Sequence, residues 1–277
     1  MRDVLLWGWQ LLATAHAIDN GLARTPPMGW RSWNCYGGNV NQSKMTSTMD
    51  KMVARTRQVA GKPTSLLDLG YNNVGLDDNW QACGAGVNGS FHATDGTPLI
   101  NTKTFPSMGD MTAHGHKLGL RVGWYMNNCI CSEHQFTDDE MIRKVMEKSA
   151  AAVGYFNFDG LKLDSCSQFN NLTWWASLLN ATGRHILIEN CHQGGLDPPG
   201  LGNPGQRGGT EGNCLGTTTP SDCPYNLYRT SGDINANFDS VMDNVNTVVQ
   251  FLGSTAHTPL SRPGAWAYPG ESTDYRE

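Results

Sequence analysis

Short apolar stretches alternate with helix-like segments along most of this 277-residue chain. The apolar stretches are short enough for strands, whereas the segments between them repeat apolar residues every three or four positions, as helices do. Strands that alternate with helices form parallel sheets, and a chain of about 250 residues closes such a sheet into a barrel. The predicted fold class is therefore α/β, with a TIM (β/α)8 barrel. Strands are predicted near Gly29 and at residues 73–76, 121–125, 160–163, 186–188, 227–229 and 265–267, and helices at residues 43–59, 107–118, 137–152 and 238–252.

Two acidic residues stand where predicted strands end. Asp164 follows the apolar run 160–163, and Asp233 follows the run that begins at Leu227. Parallel barrels carry their chemistry at the C-terminal ends of the strands, and two carboxylates that face one cleft suit glycoside hydrolysis. Lys162 lies two residues before Asp164, on the same face of the strand, and is predicted to keep Asp164 ionised. An aspartate after a strand is also a common turn former or helix cap, and this alternative stays open for either residue alone.

Aromatic and acidic residues nearby fit a sugar. A pyranose ring offers an apolar face and a rim of hydroxyl groups, so its site needs an aromatic wall and hydrogen-bond acceptors. Trp33 and Tyr125 could form the wall, and the adjacent Asp77 and Asp78 could accept from the hydroxyl groups. The alternatives are an ordinary core aromatic residue for Trp33 and a solvated turn for the two aspartates.

Five ordered sequence blocks carry a family resemblance. They are LARTPPMGWRSWN (residues 22–34), LDDNW (76–80), KLGLRVGWY (117–125), KLDSC (162–166) and YRTSGDI (228–234). With these blocks the chain resembles the retaining α-galactosidases and α-N-acetylgalactosaminidases of glycoside hydrolase family 27, the melibiases, from Gly21 to about Pro269. The resemblance implies an enzyme that releases terminal α-linked galactose from galactosides by double displacement and needs no cofactor. The alternatives are an α-N-acetylgalactosaminidase, a β-L-arabinopyranosidase, or a carbohydrate-binding fragment without catalytic activity.

The resemblance also implies roles for single residues. Asp164 matches the family's nucleophile, and Asp233 matches its acid/base. The positions that match residues holding the galactose ring are Trp33, Asp77, Asp78, Tyr125, Lys162 and Arg229. His192 is expected to line the pocket around the sugar's 2-substituent, because this chain reads Glu189-Asn-Cys-His-Gln where the family carries a Cys-Glu-Trp type segment. A plain loop histidine is the alternative for His192.

The chain has several marks of the secretory pathway. Residues 1–17 combine an apolar run with a small-x-small ending, as in a signal peptide, and eight cysteines suit an oxidising compartment. Asn41, Asn88, Asn171 and Asn180 begin glycosylation sequons. The predicted location is therefore outside the cell or in a lysosomal or vacuolar lumen. Spacing alone leaves the disulfide pairs open, but the resemblance implies Cys35 with Cys83, Cys131 or less favourably Cys129 with Cys166, and Cys191 with Cys223; Cys129 and Cys214 are then left over.

Charge limits the partners. The chain has 20 basic and 25 acidic residues, a net charge of −5, and no basic run. Nucleic acid and anionic membrane surfaces are therefore not expected as partners, and no segment after residue 17 has the pattern of a transmembrane helix, so membrane insertion is not expected. The expected partner is a small-molecule or oligosaccharide substrate, with a homo-oligomer possible. Cys129-Ile-Cys131 and His114-Gly-His116 lack the companion ligands of a zinc spacing, so no metal is expected.

The resemblance ends near Pro269. We expect residues 18–277 to form a catalytic barrel that lacks the last β/α unit and the family's C-terminal β-sandwich domain. Residues 194–216, rich in glycine, are expected to form a long loop over the active face.

Overall fold

The computed structural model describes residues 20–131, 136–169, 171–191, 224–235, 237–252, 254–255, 258–259 and 261–270. In chain order, the strands are β1 (Gly29–Arg31), β2 (Arg57–Val59), β3 (Lys62–Thr64), β4 (Asn73–Gly75), β5 (Arg121–Met126), β6 (Gly160–Leu163), β7 (Leu187–Asn190), β8 (Leu227–Arg229), β9 (Ser254–Thr255), β10 (Thr258–Pro259) and β11 (Trp266–Tyr268). The α-helices are α1 (Trp33–Tyr36), α2 (Gln42–Val53), α3 (Met108–Lys117), α4 (Asp139–Tyr155), α5 (Leu172–Ala181) and α6 (Phe238–Leu252).

Seven parallel strands form the main sheet, in the order β1-β4-β5-β6-β7-β8-β11. Helices α2 to α6 lie between successive strands of this sheet, as in a (β/α) barrel. The predicted fold class is confirmed. Within the described residues the sheet is open, since β1 pairs with β4, β11 pairs with β8, and no pairing joins β1 to β11.

Glycines leave room inside the curled sheet. Gly75, Gly123 and Gly160 are register partners on the neighbouring strands β4, β5 and β6. A Cβ atom on Gly75 would lie 2.8 Å from Cζ of Arg31, so the guanidinium group occupies the space that a side chain would take. The glycine row therefore admits a charged side chain into the barrel interior.

The core lies between the sheet and its helices. Helix α2 buries Met45, Met49 and Met52 at helical spacing, and its N-cap Asn41 accepts a hydrogen bond from the Lys44 amide at 2.9 Å. On β5, the buried ring of Trp124 stacks on Phe158, with centroids 4.6 Å apart. Each large apolar side chain buried in this way contributes roughly 1.5–3 kcal/mol to stability.

Several elements differ from the sequence prediction. Helix α2 ends at Val53 rather than at residue 59, because Ala60 and Gly61, with φ of 49° and 76°, form the turn of the β2–β3 hairpin. Helix α5 was not predicted, although Asn171 caps it by accepting from the Trp174 amide at 2.8 Å. The predicted signal peptide and the long loop at residues 194–216 lie outside the described residues. None of the helices described is long and apolar enough to cross a membrane.

Candidate active site

The C-terminal ends of the parallel strands bring most of the predicted site residues to one mouth of the sheet. Asp77 and Asp78 follow β4, Tyr125 lies near the end of β5, and Asp164 directly follows β6. On the other side of the mouth are Trp33, which begins α1 after β1, and Arg229 and Asp233, which end and follow β8. Lys162 lies within β6, just below the mouth. His192 lies outside the described residues.

Asp164 is held from several directions. Its Oδ2 accepts a hydrogen bond from the Tyr125 hydroxyl at 2.5 Å, and its Oδ1 accepts from the Ser165 amide at 2.8 Å. Its own amide donates to the Met126 carbonyl at 3.1 Å, and the Asn127 side-chain amide donates to its carbonyl. The carboxylate remains partly exposed toward the mouth. It is therefore both oriented and accessible.

Tyr125 is a permanent hydrogen-bond donor to Asp164. Burial raises the pKa of its hydroxyl far above the usual value, and the negative charges of Asp164, Asp78 and Asp77 raise it further. The phenol consequently stays protonated at any working pH. It can steady one oxygen of the Asp164 carboxylate without competing with it for a proton.

Lys162 pairs with Asp77 in the structure. Its ammonium group lies 2.8 Å from Asp77 Oδ2 and 5.3 Å from the centroid of the Tyr125 ring, and both charged side chains are buried. Tyr125 is the register partner of Lys162 on β5, so the lysine side chain crosses that ring to reach the end of β4. Burial alone would raise the pKa of Asp77, but the charges of Lys162 and Arg31 outweigh it and lower the pKa. Whether Lys162 also keeps Asp164 ionised stays a prediction.

Asp78 anchors the loop that follows β5. The buried carboxylate accepts five hydrogen bonds, from the amides of Asn79 (2.7 Å), Cys129 (2.9 Å) and Ile130 (2.7 Å) and from the side chains of Gln81 (2.7 Å) and Asn128 (3.1 Å). Burial raises its pKa more than these hydrogen bonds lower it. A carboxylate offers about four lone-pair sites, so this one is already saturated by the protein. Its contact with a sugar stays a prediction, whereas the structure shows its contacts with the loop.

The disulfide pairing differs from the expectation. Cys83 bonds to Cys131 and Cys129 bonds to Cys166, with Cα atoms 5.7 and 4.7 Å apart. The expected pair of Cys35 with Cys83 is therefore wrong. For Cys166 the structure shows the less favoured of the two expected partners, Cys129, and not Cys131. The physical reason lies in the loop: the amides of Cys129 and Ile130 are fixed on Asp78, and Cys131 adopts a left-handed conformation with φ of 48°. These constraints send the two cysteine side chains to different neighbours.

The third expected pair joins Cys191 to Cys223. Cys223 lies outside the described residues, as does Cys214, so this pairing stays a prediction. Cys191 is buried and immediately follows β7.

Asp233 is held differently from Asp164. Arg229 donates to its Oδ1 at 2.7 Å, and the indole nitrogen of Trp33 donates to its Oδ2 at 3.1 Å. The Asp233 side chain is 54% exposed, whereas that of Arg229 is 11% exposed. Trp33, predicted as an aromatic wall, thus also makes a polar contact with Asp233.

Sequence reasoning missed a buried charge network below the mouth. Arg31 Nη2 lies 2.6 Å from Glu189 Oε2, and Arg31 Nε lies 3.8 Å from Asp77 Oδ2. The Tyr268 hydroxyl donates to Glu189 Oε1. A signal was available, because a charged residue inside a short barrel strand needs a buried partner.

A cavity of about 400 Å³ occupies the barrel interior beneath these residues. Its lining includes the three glycines of the row, Gly75, Gly123 and Gly160, together with Arg31 and Glu189. Neither Asp164 nor Asp233 is among the described residues that line it. The cavity is therefore separate from the mouth where the two aspartates lie.

The chain is similar in sequence to known glycosidases. A probable α-galactosidase of Dictyostelium discoideum is 30% identical over 249 residues, which cover 84% of this chain and 52% of that protein. An α-N-acetylgalactosaminidase of Rattus norvegicus is 29% identical over 276 residues, covering 94% of this chain and 58% of that protein. The chain thus spans about half the length of the curated relatives it matches.

Solved structures share the fold. The α-galactosidase I of Mortierella vinacea superposes with a TM-score of 0.60 at 23% identity, over 91% of this chain and 60% of that one. An α-galactosidase of Saccharomyces cerevisiae, solved with raffinose, gives a TM-score of 0.60 at 21% identity, over 91% and 53% of the two chains. Residues 25–272 match the family described as Alpha galactosidase A (Melibiase_2). With its parallel barrel and this match over most of its length, the chain belongs to the Alpha galactosidase A family of melibiases.

Proposed function

We propose that this chain carries the active site of a retaining α-galactosidase that releases terminal α-linked galactose from oligosaccharides or glycoconjugates. Family membership supports the reaction class, and the mouth of the barrel supplies two aspartates, an aromatic residue from β1–α1 and a buried ion pair. The observation that carries the proposal is the setting of Asp164. It ends a buried strand, is oriented by Tyr125 and Ser165, and still faces the mouth.

In the first step an Asp164 oxygen attacks the anomeric carbon, and the bond from that carbon to the leaving oxygen breaks. Asp233, protonated for this step, gives its proton to the leaving oxygen. In the second step Asp233 takes a proton from water, the water oxygen bonds to the anomeric carbon, and the bond to Asp164 breaks. The products are galactose with its α configuration retained and both aspartates in their starting states.

The remaining residues of the mouth bind and orient the sugar in this proposal. The faces of Trp33 and Tyr125 suit the apolar side of the ring, and Asp77 and Lys162 suit hydroxyl groups as acceptor and donor. Arg229 fixes one Asp233 oxygen, and Trp33 fixes the other. His192 is proposed to contact the 2-substituent of the sugar.

Covalent trapping tests the reaction directly. The expressed chain is incubated with an activated fluorinated galactosyl fluoride, which forms the glycosyl enzyme quickly and loses it slowly. Intact mass should rise by one fluorogalactosyl group, and peptide mapping should place it on Asp164. Asp164→Asn should take no label, while Asp110→Asn, an exposed acid on α3, should be labelled like the wild type.

Steady-state assays complete the test. Faster turnover of an aryl α-galactoside than of an aryl α-N-acetylgalactosaminide would support galactose as the substrate. The reverse order would indicate an α-N-acetylgalactosaminidase. Label on another residue would overturn the role of Asp164. Retention on a galactose resin without label or turnover would reduce the chain to a carbohydrate-binding protein.

We also propose that the protein passes through the secretory pathway, to the outside of the cell or to a lysosomal or vacuolar lumen. The two disulfides among the described residues support an oxidising compartment. Asn88 and Asn180 are exposed, as glycan acceptors must be. N-terminal sequencing of the mature protein should begin after residue 17, and glycan removal should lower its mass. A cytosolic protein with an intact N-terminus would contradict this route.

A further inference from the structure

Glu189 binds residues from both edges of the open sheet. Its Oε2 pairs with Arg31 at the end of β1, at 2.6 Å, and its Oε1 accepts from the Tyr268 hydroxyl at the end of β11. Within the described residues no backbone pairing joins β1 to β11, so these side-chain contacts link the two edge strands through one residue on β7. We call Arg31, Glu189 and Tyr268 the interior clasp.

The interior clasp is built for a buried position. The side chains of Arg31 and Glu189 are 12% and 9% exposed, and the guanidinium group also donates to the carbonyls of Leu76 at 3.3 Å and Trp124 at 3.5 Å. The neighbouring buried ion pair of Lys162 with Asp77 lies beside that of Arg31 with Glu189, and Arg31 Nε is 3.8 Å from Asp77 Oδ2. Charge balance and satisfied donors make such a network stable only when every member is present.

The second set of contacts lies directly above the first. Tyr268 is the register partner of Arg229, and Arg229 holds Asp233 at 2.7 Å. Trp33, two residues after Arg31, donates to the other oxygen of Asp233 at 3.1 Å. The contacts Arg229–Asp233–Trp33 therefore join the same two edges of the sheet as the interior clasp, one layer higher.

We propose that Glu189 is a positioning residue that sets the separation of β1 from β8 and β11, and so holds Asp233 and Trp33 together. This inference rests on the proposed function, in which Asp233 is the acid/base. Loss of the clasp shifts Asp233 relative to the leaving oxygen and leaves Asp164, fixed by β5 and β6, in place. Proton donation is then impaired more than nucleophilic attack.

Leaving groups of different basicity separate this role from a merely structural one. In Glu189→Gln, kcat/KM, which depends on the first step, should fall about tenfold or more for an alkyl α-galactoside, whose leaving oxygen needs a proton, and much less for a dinitrophenyl α-galactoside. Tyr268→Phe should show the same preference to a smaller degree, because the ion pair remains. A structural defect alone would lower both rates equally through the fraction of folded enzyme.

Asp159 and Arg184 provide the matched control. Their ion pair, at 2.8 Å and partly buried, lies at the opposite end of β6, before Gly160. Asp159→Asn should lower the thermal midpoint without any dependence on the leaving group. Equal losses on both substrates in Glu189→Gln would overturn the proposal.

A measurement without catalysis keeps the inference apart from the proposed function. The nine tryptophans are replaced by 5-fluorotryptophan, and the ¹⁹F resonance of Trp33 is assigned with Trp33→Phe. Glu189→Gln should shift or broaden that resonance, whereas Asp159→Asn should leave it in place. If the wild-type chain is inactive, the proposed function fails, and the ¹⁹F spectrum then tests the positioning role of Glu189 by itself. An unchanged Trp33 resonance in folded Glu189→Gln would overturn that positioning role.

Discussion

The two sides of the mouth are held by different means. On the side of β4 to β6, two disulfides and the saturated carboxylate of Asp78 fix the loops around Asp164. On the side of β8 and β1, Asp233 is more than half exposed and is held by two side chains, Arg229 and Trp33. The difference suits the proposed double displacement, in which Asp164 would form a bond at a fixed point while Asp233 would exchange protons with the leaving group and water.

The contrast also concerns distance along the chain. Asp164 depends on neighbours from the adjacent strand, since Tyr125 on β5 donates to its carboxylate and Met126 on β5 accepts from its amide. Asp233 depends on Trp33, which is 200 positions away in sequence. Geometry on the Asp164 side is therefore set by one compact set of strands, whereas the Asp233 side requires the edges of the sheet to be held in relation to each other.

The largest expected effect comes from the two aspartates themselves. Asp164→Asn should lower kcat by on the order of 10³-fold or more for every galactoside, because an amide cannot form the glycosyl ester. Asp233→Asn should lower kcat/KM, which depends on the first step, strongly for alkyl galactosides and weakly for dinitrophenyl galactosides. Steady-state kinetics with a leaving-group series measures both. If Asp164→Asn showed the same dependence on the leaving group as Asp233→Asn, the two aspartates would not have the different roles proposed for them.

The second prediction concerns the buried ion pair below Asp164. Asp77→Asn leaves the Lys162 ammonium buried with an uncompensated charge and should lower the free energy of unfolding by about 3–5 kcal/mol near neutral pH. In the wild type, the lowered pKa of Asp77 gives a stabilisation that is complete above about pH 4 and is lost as pH falls through the folded-state pKa. The difference in stability between wild type and variant should therefore narrow in acid.

Thermal unfolding from pH 2 to pH 7 measures this difference, with Asp110→Asn as the exposed control. A difference in thermal midpoint that stays constant across that range would show that the Asp77 charge does not stabilise the fold. A variant as stable as the wild type at neutral pH would show that the ion pair of Lys162 with Asp77 does not stabilise the fold.

How much of this could be read from the sequence depends on the range of each interaction. The strand–helix alternation is local, so β6 and β8 fall where predicted and the fold class follows. Helix α6 also has its predicted bounds, yet periodicity did not show that Phe238 stays 69% exposed while Asn244 is buried against the Gly232 carbonyl. Which face of an element is covered depends on its neighbours in space.

Long-range pairings were the least predictable part of the site. Cys129 and Cys131 are two residues apart, and the choice between them depends on amides that bind Asp78, which follows another strand. Arg31 and Glu189 are 158 positions apart in sequence. Their ion pair lies in the barrel interior beside the glycine row, and the sequence alone does not show that those glycines are neighbours in the sheet. The residue types pointed to a sugar site, whereas their partners required the fold.

The third prediction tests whether the Asp164 side is the more rigid one. Asp78→Asn replaces a saturated acceptor with a group that brings its own donors, and it should lower the free energy of unfolding by about 2–4 kcal/mol. Asp233→Asn breaks an exposed pair and should change stability by about 0–1 kcal/mol. Denaturant unfolding of the two isosteric variants gives both values. Equal losses would mean that the two sides are held with similar strength.

The smallest expected effect is that of Trp33→Phe. The substitution keeps an aromatic face for the sugar but removes the indole donor that lies 3.1 Å from Asp233 Oδ2. A single exposed hydrogen bond to a charged group contributes about 1 kcal/mol, so kcat for alkyl galactosides should fall roughly fivefold, while KM and the thermal midpoint change little. Trp30→Phe, a neighbouring aromatic whose ring packs on Tyr36 at 5.8 Å, serves as the matched control and should show no leaving-group dependence. A rise in KM without a fall in kcat would show that Trp33 only contacts the face of the sugar. Asp233 would then depend on Arg229 for its orientation.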